Sequence, residues 1–283
     1  MISHGAKIGI VCCSNGQERE YAPKIGQLTE VLNEMGLHPV FSNYIYAQEG
    51  VFSGTAKERA QALMDFYMDE EIEGIFDISG GDIANGILPW LDYRVIGESG
   101  KMYWGYSDLT TVINAIYAKT GRPSVLYQIR NLIYDHGERQ REDFANTVMN
   151  HGNDLFSVSA RMIQGKEMDG IVVGGNIRCF LKLAGTEYMP DLRDKILLLE
   201  SLGGLAPQIE TLLCQLEQLG AFQKVAGILV GTFTQMEREE PHQSAESLVR
   251  KFAGKNLPIA VTTQIGHGTD AKGIIIGQKF HCS

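Results

Sequence analysis

The chain has 283 residues, with 25 Lys and Arg against 34 Asp and Glu, for a formal net charge of −9. Apolar residues make up 44% and charged residues 21%, an ordinary globular mix that excludes disorder over most of the length and suits one large domain or two modest ones. The acidic balance, with no basic stripe, argues against nucleic acid, and no apolar run reaches the roughly 18 residues that would span a membrane. Met1–Lys7 lacks the basic and then apolar pattern of a secretory signal. The five cysteines (Cys12, Cys13, Cys179, Cys214, Cys282) are odd in number and lack C-x-x-C spacing. They read as reduced thiols of a cytoplasmic protein, neither a disulfide framework nor a zinc site. Glycine is the outlier, 32 residues against a background of about 7%, clustered where backbone must turn tightly or approach something closely.

In chain order, Ile8–Cys13 is a continuous apolar run, as expected of a strand buried on both faces. Ile25, Leu28, Val31, Leu32 and Met35 form a helical stripe closed by Gly36. Pro39–Phe41 is a short strand, and Thr55-Ala56-Lys57-Glu58 has capping-box spacing and opens a helix through Leu63, Met64 and Tyr67. Ile75–Ile78 is a third strand, ending in Gly80-Gly81. Lys101–Trp104 is a fourth, and Leu109, Val112, Ile113, Ile116 and Tyr117 make a helix face. This alternation over residues 1–125 predicts a parallel sheet with helices on its faces. Residues 126–160 are polar and weakly patterned, a connecting segment with one helix near Phe144–Met149. Residues 161–283 read as a smaller β-rich domain. Its strands fall at Gly170–Val173, Lys195–Leu199, Val225–Val230, Pro258–Val261 and Gly273–Ile276, and it has one clear helix through Leu205, Ile209, Leu212, Leu213 and Leu216.

Three positions could carry chemistry. Ser107 sits at the junction between the fourth strand and its helix, where free amides at the helix N-terminus could stabilise an oxyanion. Leu109 replaces the last glycine of G-x-S-x-G, and the local pattern alone fits a plain helix cap better than a nucleophile. Glu200 ends the apolar run Ile196–Leu199 and leads into Gly203-Gly204; a carboxylate leaving a strand is ordinarily just solvated. His267 lies between Gly266 and Gly268. In the order Ser, Glu, His, these are the types needed for a serine activated by a carboxylate-oriented imidazole. Gly80-Gly81 could bring a further amide to the same sheet edge. Cys12 and Cys13 lie in a buried-strand pattern, where thiols are usually inert, so a redox role is disfavoured.

The chain resembles the LD-carboxypeptidase family of serine peptidases, which includes the microcin C self-immunity proteins. The resemblance is carried by Arg59, Gly80-Gly81, Leu88-Pro89-Trp90-Leu91-Asp92-Tyr93 and Gly105-Tyr106-Ser107-Asp108-Leu109-Thr110. It continues through Gly174-Gly175-Asn176, Gly185-Thr186, Lys195–Glu200, Gly227–Gly231 and Gly266-His267. It implies a Rossmann-like N-terminal half and a β-rich C-terminal half with the site between them. It also implies Ser107 as nucleophile, His267 as general base, Glu200 as its orienting carboxylate, the amides of Asp108 and Gly81 as oxyanion hole, no metal or cofactor, and a homodimer.

The chain departs from the family in ways that bear on substrate. Ser79 stands where many members have an arginine before the two glycines, and both tryptophans, Trp90 and Trp104, precede Ser107. An adenine-stacking platform would then fall to Phe156 or Tyr188. The expected activity is removal of a terminal D-amino acid from an L,D-peptide, as in muropeptide recycling. The alternatives are a self-immunity-like hydrolase of peptidyl-nucleotide or acyl-amide compounds and a non-catalytic small-ligand-binding module. No residue is identified for the substrate carboxylate.

Overall fold

The computed structural model describes residues 2–283. Its elements are β1 (Lys7–Val11), α1 (Ala22–Glu34), β2 (His38–Phe41), α2 (Ala56–Met68), β3 (Ile72–Asp77), α3 (Tyr93–Ser99), β4 (Met102–Gly105), α4 (Thr110–Thr120), β5 (Ser124–Leu126) and α5 (Gly137–Met149). They continue with β6 (Arg161–Gln164), β7 (Met168–Asn176), α6 (Ile177–Leu181), β8 (Lys195–Ser201), α7 (Ala206–Gln218), α8 (Ala221–Lys224), β9 (Gly227–Phe233), α9 (Thr234–Glu239), α10 (Ala245–Ala253), β10 (Ile259–Val261), β11 (Ile274–Ile276) and β12 (Lys279–Cys282). Two six-stranded sheets result, ordered β11-β5-β4-β3-β1-β2 and β12-β7-β8-β9-β10-β6. Both are mainly parallel, with helices on their faces. This is the α/β class expected.

Side-chain alternation divides the first sheet's core. Ile8, Ile10, Phe76, Trp104 and Val125 pack with Ile25, Leu28 and Leu32 of α1 and Phe144 of α5. Val11, Ile75, Tyr103 and Leu126 face the other way, onto Leu63 and Tyr67 of α2 and Val112 and Ile116 of α4. That second layer is continuous with Val172, Leu197, Leu199 and Leu229 of the second sheet, so one apolar core joins the two sheets. Thr55 and Glu58 make the capping box that their spacing predicts, with Thr55 Oγ1 accepting from the Glu58 amide at 3.2 Å and Glu58 Oε2 accepting from the Thr55 amide at 2.8 Å.

Some strands lie where periodicity is silent. β5 falls at the edge of what reads as a helix-to-linker boundary, and β6 and β12 close the edges of the second sheet. The strand at Ile274–Ile276 does not belong with its sequence neighbours. It pairs antiparallel to β5 in the first sheet, Ile275 opposite Val125, while β12, a few residues on, returns to β7. The chain end thereby ties the two sheets together.

Candidate active site

Ser107 follows β4 on a tight turn, Ser107–Leu109, that runs directly into α4. Its φ is +54°, a left-handed conformation that a non-glycine residue adopts only where surrounding structure holds it. The turn needs Gly105. A Cβ there would stand 2.6 Å from Leu109 Cβ, so the strand could not double back onto its helix. The turn after β3 lies alongside, since a Cβ on Gly80 would sit 3.8 Å from Ser107 Cβ and 3.9 Å from its Oγ.

Asp108 is fully buried and acts as the brace of this edge. Its Oδ2 accepts from Ser14 Oγ at 2.6 Å and the Ala84 amide at 2.8 Å, and its Oδ1 accepts from Lys182 Nζ. Lys182 also donates to the Asp82 carbonyl at 2.8 Å. Arg178, on α6, pairs with Asp82 and donates to the Gly81 carbonyl at 3.2 Å. The loop after β1 completes the frame, with the Asn15 amide donating to the Gly80 carbonyl at 3.1 Å and Asn15 Oδ1 accepting from the Asp82 amide. Arg59 is buried beneath that loop and donates to the carbonyls of Cys13 and Ser14 at 2.7 and 3.1 Å. Ser14, Asn15, Arg178 and Lys182 belong to none of the candidate positions named from sequence. The only local signal was Ser14-Asn15-Gly16 following the first strand.

Glu200 is wholly buried, not solvated. Its Oε2 lies 2.7 Å from His267 Nδ1, and the histidine side chain is 8% exposed. The loop bearing the histidine requires Gly266, because a Cβ there would come within 1.7 Å of Thr232 Oγ1. The Tyr106 ring packs against the imidazole at a centroid distance of 4.5 Å. Burial, and the charge of Glu200 after it, push the Tyr106 phenol far above its ordinary range, so it stays protonated. Ser107 is thus one residue from a side chain that touches His267. His267 Nε2 itself makes no hydrogen bond, to Ser107 or to any other described residue.

Buried polar atoms without partners are uncommon and call for a cause. Among the described residues nine side-chain atoms qualify, and four of them are Tyr106 OH, Glu200 Oε1, Thr232 Oγ1 and His267 Nε2. A cleft lined by Val230, Gly231, Thr232, Val261, Thr262 and Glu237 opens beside them at the ends of β9 and β10. It touches the site through Gly231 and Thr232 and includes none of Ser107, Glu200 and His267.

The two halves are registered by α4. Asn114 mimics a strand neighbour of β7, donating to the Gly174 carbonyl at 2.8 Å and accepting from the Gly174 amide at 2.9 Å. Thr110 Oγ1 accepts from the Asn176 amide at 3.1 Å. Asn176 is the register partner of Glu200 in the β7–β8 pair. The helix that follows the Ser107 turn is therefore bonded to the strand beside Glu200.

The two aromatic candidates for a stacking platform are committed elsewhere. Phe156 stacks on Trp104 at 5.8 Å, and Tyr188 packs on Tyr93 at 5.9 Å. Cys12 and Cys13 are buried, and burial raises both thiols well above their ordinary range.

A parallel-sheet protein with a strained serine at a strand–helix elbow and a buried carboxylate–imidazole pair beside it has the architecture of an α/β peptidase. Family comparison is specific: the models for the LD-carboxypeptidase N-terminal and C-terminal domains match residues 8–127 and 169–281. The chain belongs to the LD-carboxypeptidase family. It is 26% identical over 290 residues to the probable murein peptide carboxypeptidase of Bacillus subtilis, spanning 98% of this chain and 89% of that one. It is 28% identical over 263 residues to the microcin C7 self-immunity protein MccF of Escherichia coli, spanning 82% and 72%. The fold is that of MccF in its complex with glutamyl sulfamoyl guanosine, with a TM-score of 0.88, 22% identity, and 98% and 93% of the two chains covered.

Proposed function

We propose that this protein is a serine-type LD-carboxypeptidase that removes a terminal D-amino acid from an L,D-tetrapeptide of the muropeptide class in the cytoplasm. One observation carries the reading: a buried Glu200–His267 pair at 2.7 Å beside a serine held at φ +54°. Ser107 Oγ attacks the carbonyl before the D-residue while His267 Nε2 takes its proton. The imidazolium, stabilised by Glu200, returns that proton to the leaving amine, and water then cleaves the acyl-serine ester by the same route in reverse. The amides of Asp108 and Gly81 receive the oxyanion; the Gly81 amide donates to no described residue. The Ser107–His267 hydrogen bond forms when substrate closes the site, as catalytic bonds commonly tighten in the Michaelis complex.

Similarity to MccF favours a second reading, hydrolysis of a peptidyl-nucleotide or related acyl-amide. Against it stands the engagement of Phe156 and Tyr188 in packing, which leaves neither as a base-stacking platform. Incubation with an L,D-tetrapeptide and, separately, with an aminoacyl sulfamoyl adenylate distinguishes the two. Release of the D-amino acid, abolished by Ser107→Ala, is the expected result; cleavage of the adenylate alone overturns the peptidase reading. A binding-only protein would show no hydrolysis that depends on Ser107.

A further inference from the structure

The cations at the nucleophile's sheet edge are nearly all satisfied within the protein. Lys182 is held by Asp108, Arg178 by Asp82, and Arg59 by two backbone carbonyls. Arg130 differs. Its guanidinium Nη1 donates to Gln17 Oε1 at 3.1 Å and it forms no ion pair among the described residues. Its Nε, like that of Arg59, is buried without a partner, but Arg130 is only half-buried where Arg59 is sealed in the core. Gln17 is itself fixed, its Nε2 donating to the Ile78 carbonyl at 3.1 Å and its backbone amide to Ile45 O at 2.8 Å.

Three connections tie the segment bearing Arg130 to the site. It follows β5, which lies beside β4, and the Tyr127 amide donates to the Gly105 carbonyl at 2.9 Å. Its partner Gln17 lies on the loop whose Ser14 and Asn15 brace Asp108 and Gly80. Beyond Arg130 the chain reaches His136 Nδ1, 2.8 Å from Thr269 Oγ1, and Gln140, whose Nε2 donates to the Ala271 carbonyl at 3.0 Å. Both contacts are with the loop that carries His267. Arg130 therefore lies on a segment bonded to the strand before Ser107 and to the loop after His267, and its guanidinium touches the loop that braces Gly80.

A half-buried guanidinium with no counter-ion is free to exchange water for an anion, and its planar fork matches a carboxylate in two-point geometry. We propose that Arg130 anchors the terminal α-carboxylate of the departing D-residue, a role that rests on the LD-carboxypeptidase reading above. The test uses Ser107→Ala, which binds without cleaving, titrated calorimetrically with the tetrapeptide acid and with its C-terminal carboxamide. The acid should bind more tightly by about 10- to 150-fold, the worth of hydrogen bonds to a charged group. Adding Arg130→Gln should bring that ratio to near one while leaving amide binding unchanged, which also shows that the fold survives. In the active enzyme Arg130→Gln should raise KM more than it lowers kcat.

A preference for the acid that survives Arg130→Gln, or no preference in the Ser107→Ala parent, overturns the anchor. If the unsubstituted enzyme releases no D-amino acid but the acid preference exists and depends on Arg130, the anchor stands and the peptidase reading falls. If the D-amino acid is released and the preference is independent of Arg130, the reverse holds. If neither peptide binds, both fall.

Discussion

Replacing Glu200 with glutamine removes one charge while keeping shape. Glu200 is fully buried and its single hydrogen bond is to His267 Nδ1 at 2.7 Å. During acylation the imidazole becomes a cation, with the carboxylate charge about 4 Å away. At an effective dielectric near 20 that attraction is worth about 4 kcal/mol, or roughly 10³-fold in rate. The amide can also present its NH2 group to Nδ1, which puts the ring proton on Nε2 and disables the base. That tautomer penalty brings the expected loss in kcat to about 10³- to 10⁴-fold. Steady-state release of the D-amino acid from the tetrapeptide gives kcat and KM separately, and KM should change little because Glu200 is buried away from substrate. A thermal melt checks that the variant is folded. A folded Glu200→Gln enzyme retaining more than about a tenth of kcat refutes the orienting role.

Three further outcomes follow from the same geometry. Asn114→Ala strands the Gly174 amide and carbonyl that the side chain now satisfies; at about 1–3 kcal/mol for each unsatisfied buried group, urea unfolding should show a loss of about 2–5 kcal/mol, and a loss under 1 kcal/mol would contradict the α4–β7 linkage. Native thiol labelling at mildly alkaline pH should modify Cys214 alone, since Cys12, Cys13, Cys179 and Cys282 are buried with raised thiol pKa values and only the thiolate reacts; all five should label in denaturant. Burial raises the Asp77 carboxyl above its ordinary value, so the folded state binds that proton more tightly than the unfolded chain. Its contribution is fully present below the unfolded pKa and is lost as pH rises through the folded one. The stability of the unsubstituted protein relative to Asp77→Asn should therefore grow as pH falls from 7 toward 4, and a relative stability that stays constant or falls on acidification would count against it.

Much of the first sheet was legible because its signals are local. The run Ile8–Cys13, the stripe from Ile25 to Met35 and the capping box at Thr55 and Glu58 each depend on a few adjacent residues, and each forms the kind of element its pattern predicts, although the strand ends at Val11. The Gly105-Tyr106-Ser107 turn was readable for the same reason, since strand, turn and helix follow without a gap. The remainder depends on contacts between residues far apart in sequence. β5 has three residues, too few for a period, and is a strand only because β4 and β11 flank it. Ile274–Ile276 carries no mark of belonging to the first sheet; its partner lies about 150 residues earlier, and pairing over that distance is set by the assembled core.

The candidate site divides along the same line. Sequence by itself determined the serine at an elbow, a carboxylate at the end of a buried strand and a histidine between glycines. It could not determine that Glu200 is buried and bonded to His267, because the two lie 67 residues apart and meet only where the second sheet brings the end of β8 to the loop after β10. Nor could it single out Arg130 from the other arginines. Whether a cation is paired or left with donors to spare depends on which groups the tertiary fold brings within reach, and at that sheet edge the fold supplies Arg130 with an amide oxygen and no carboxylate.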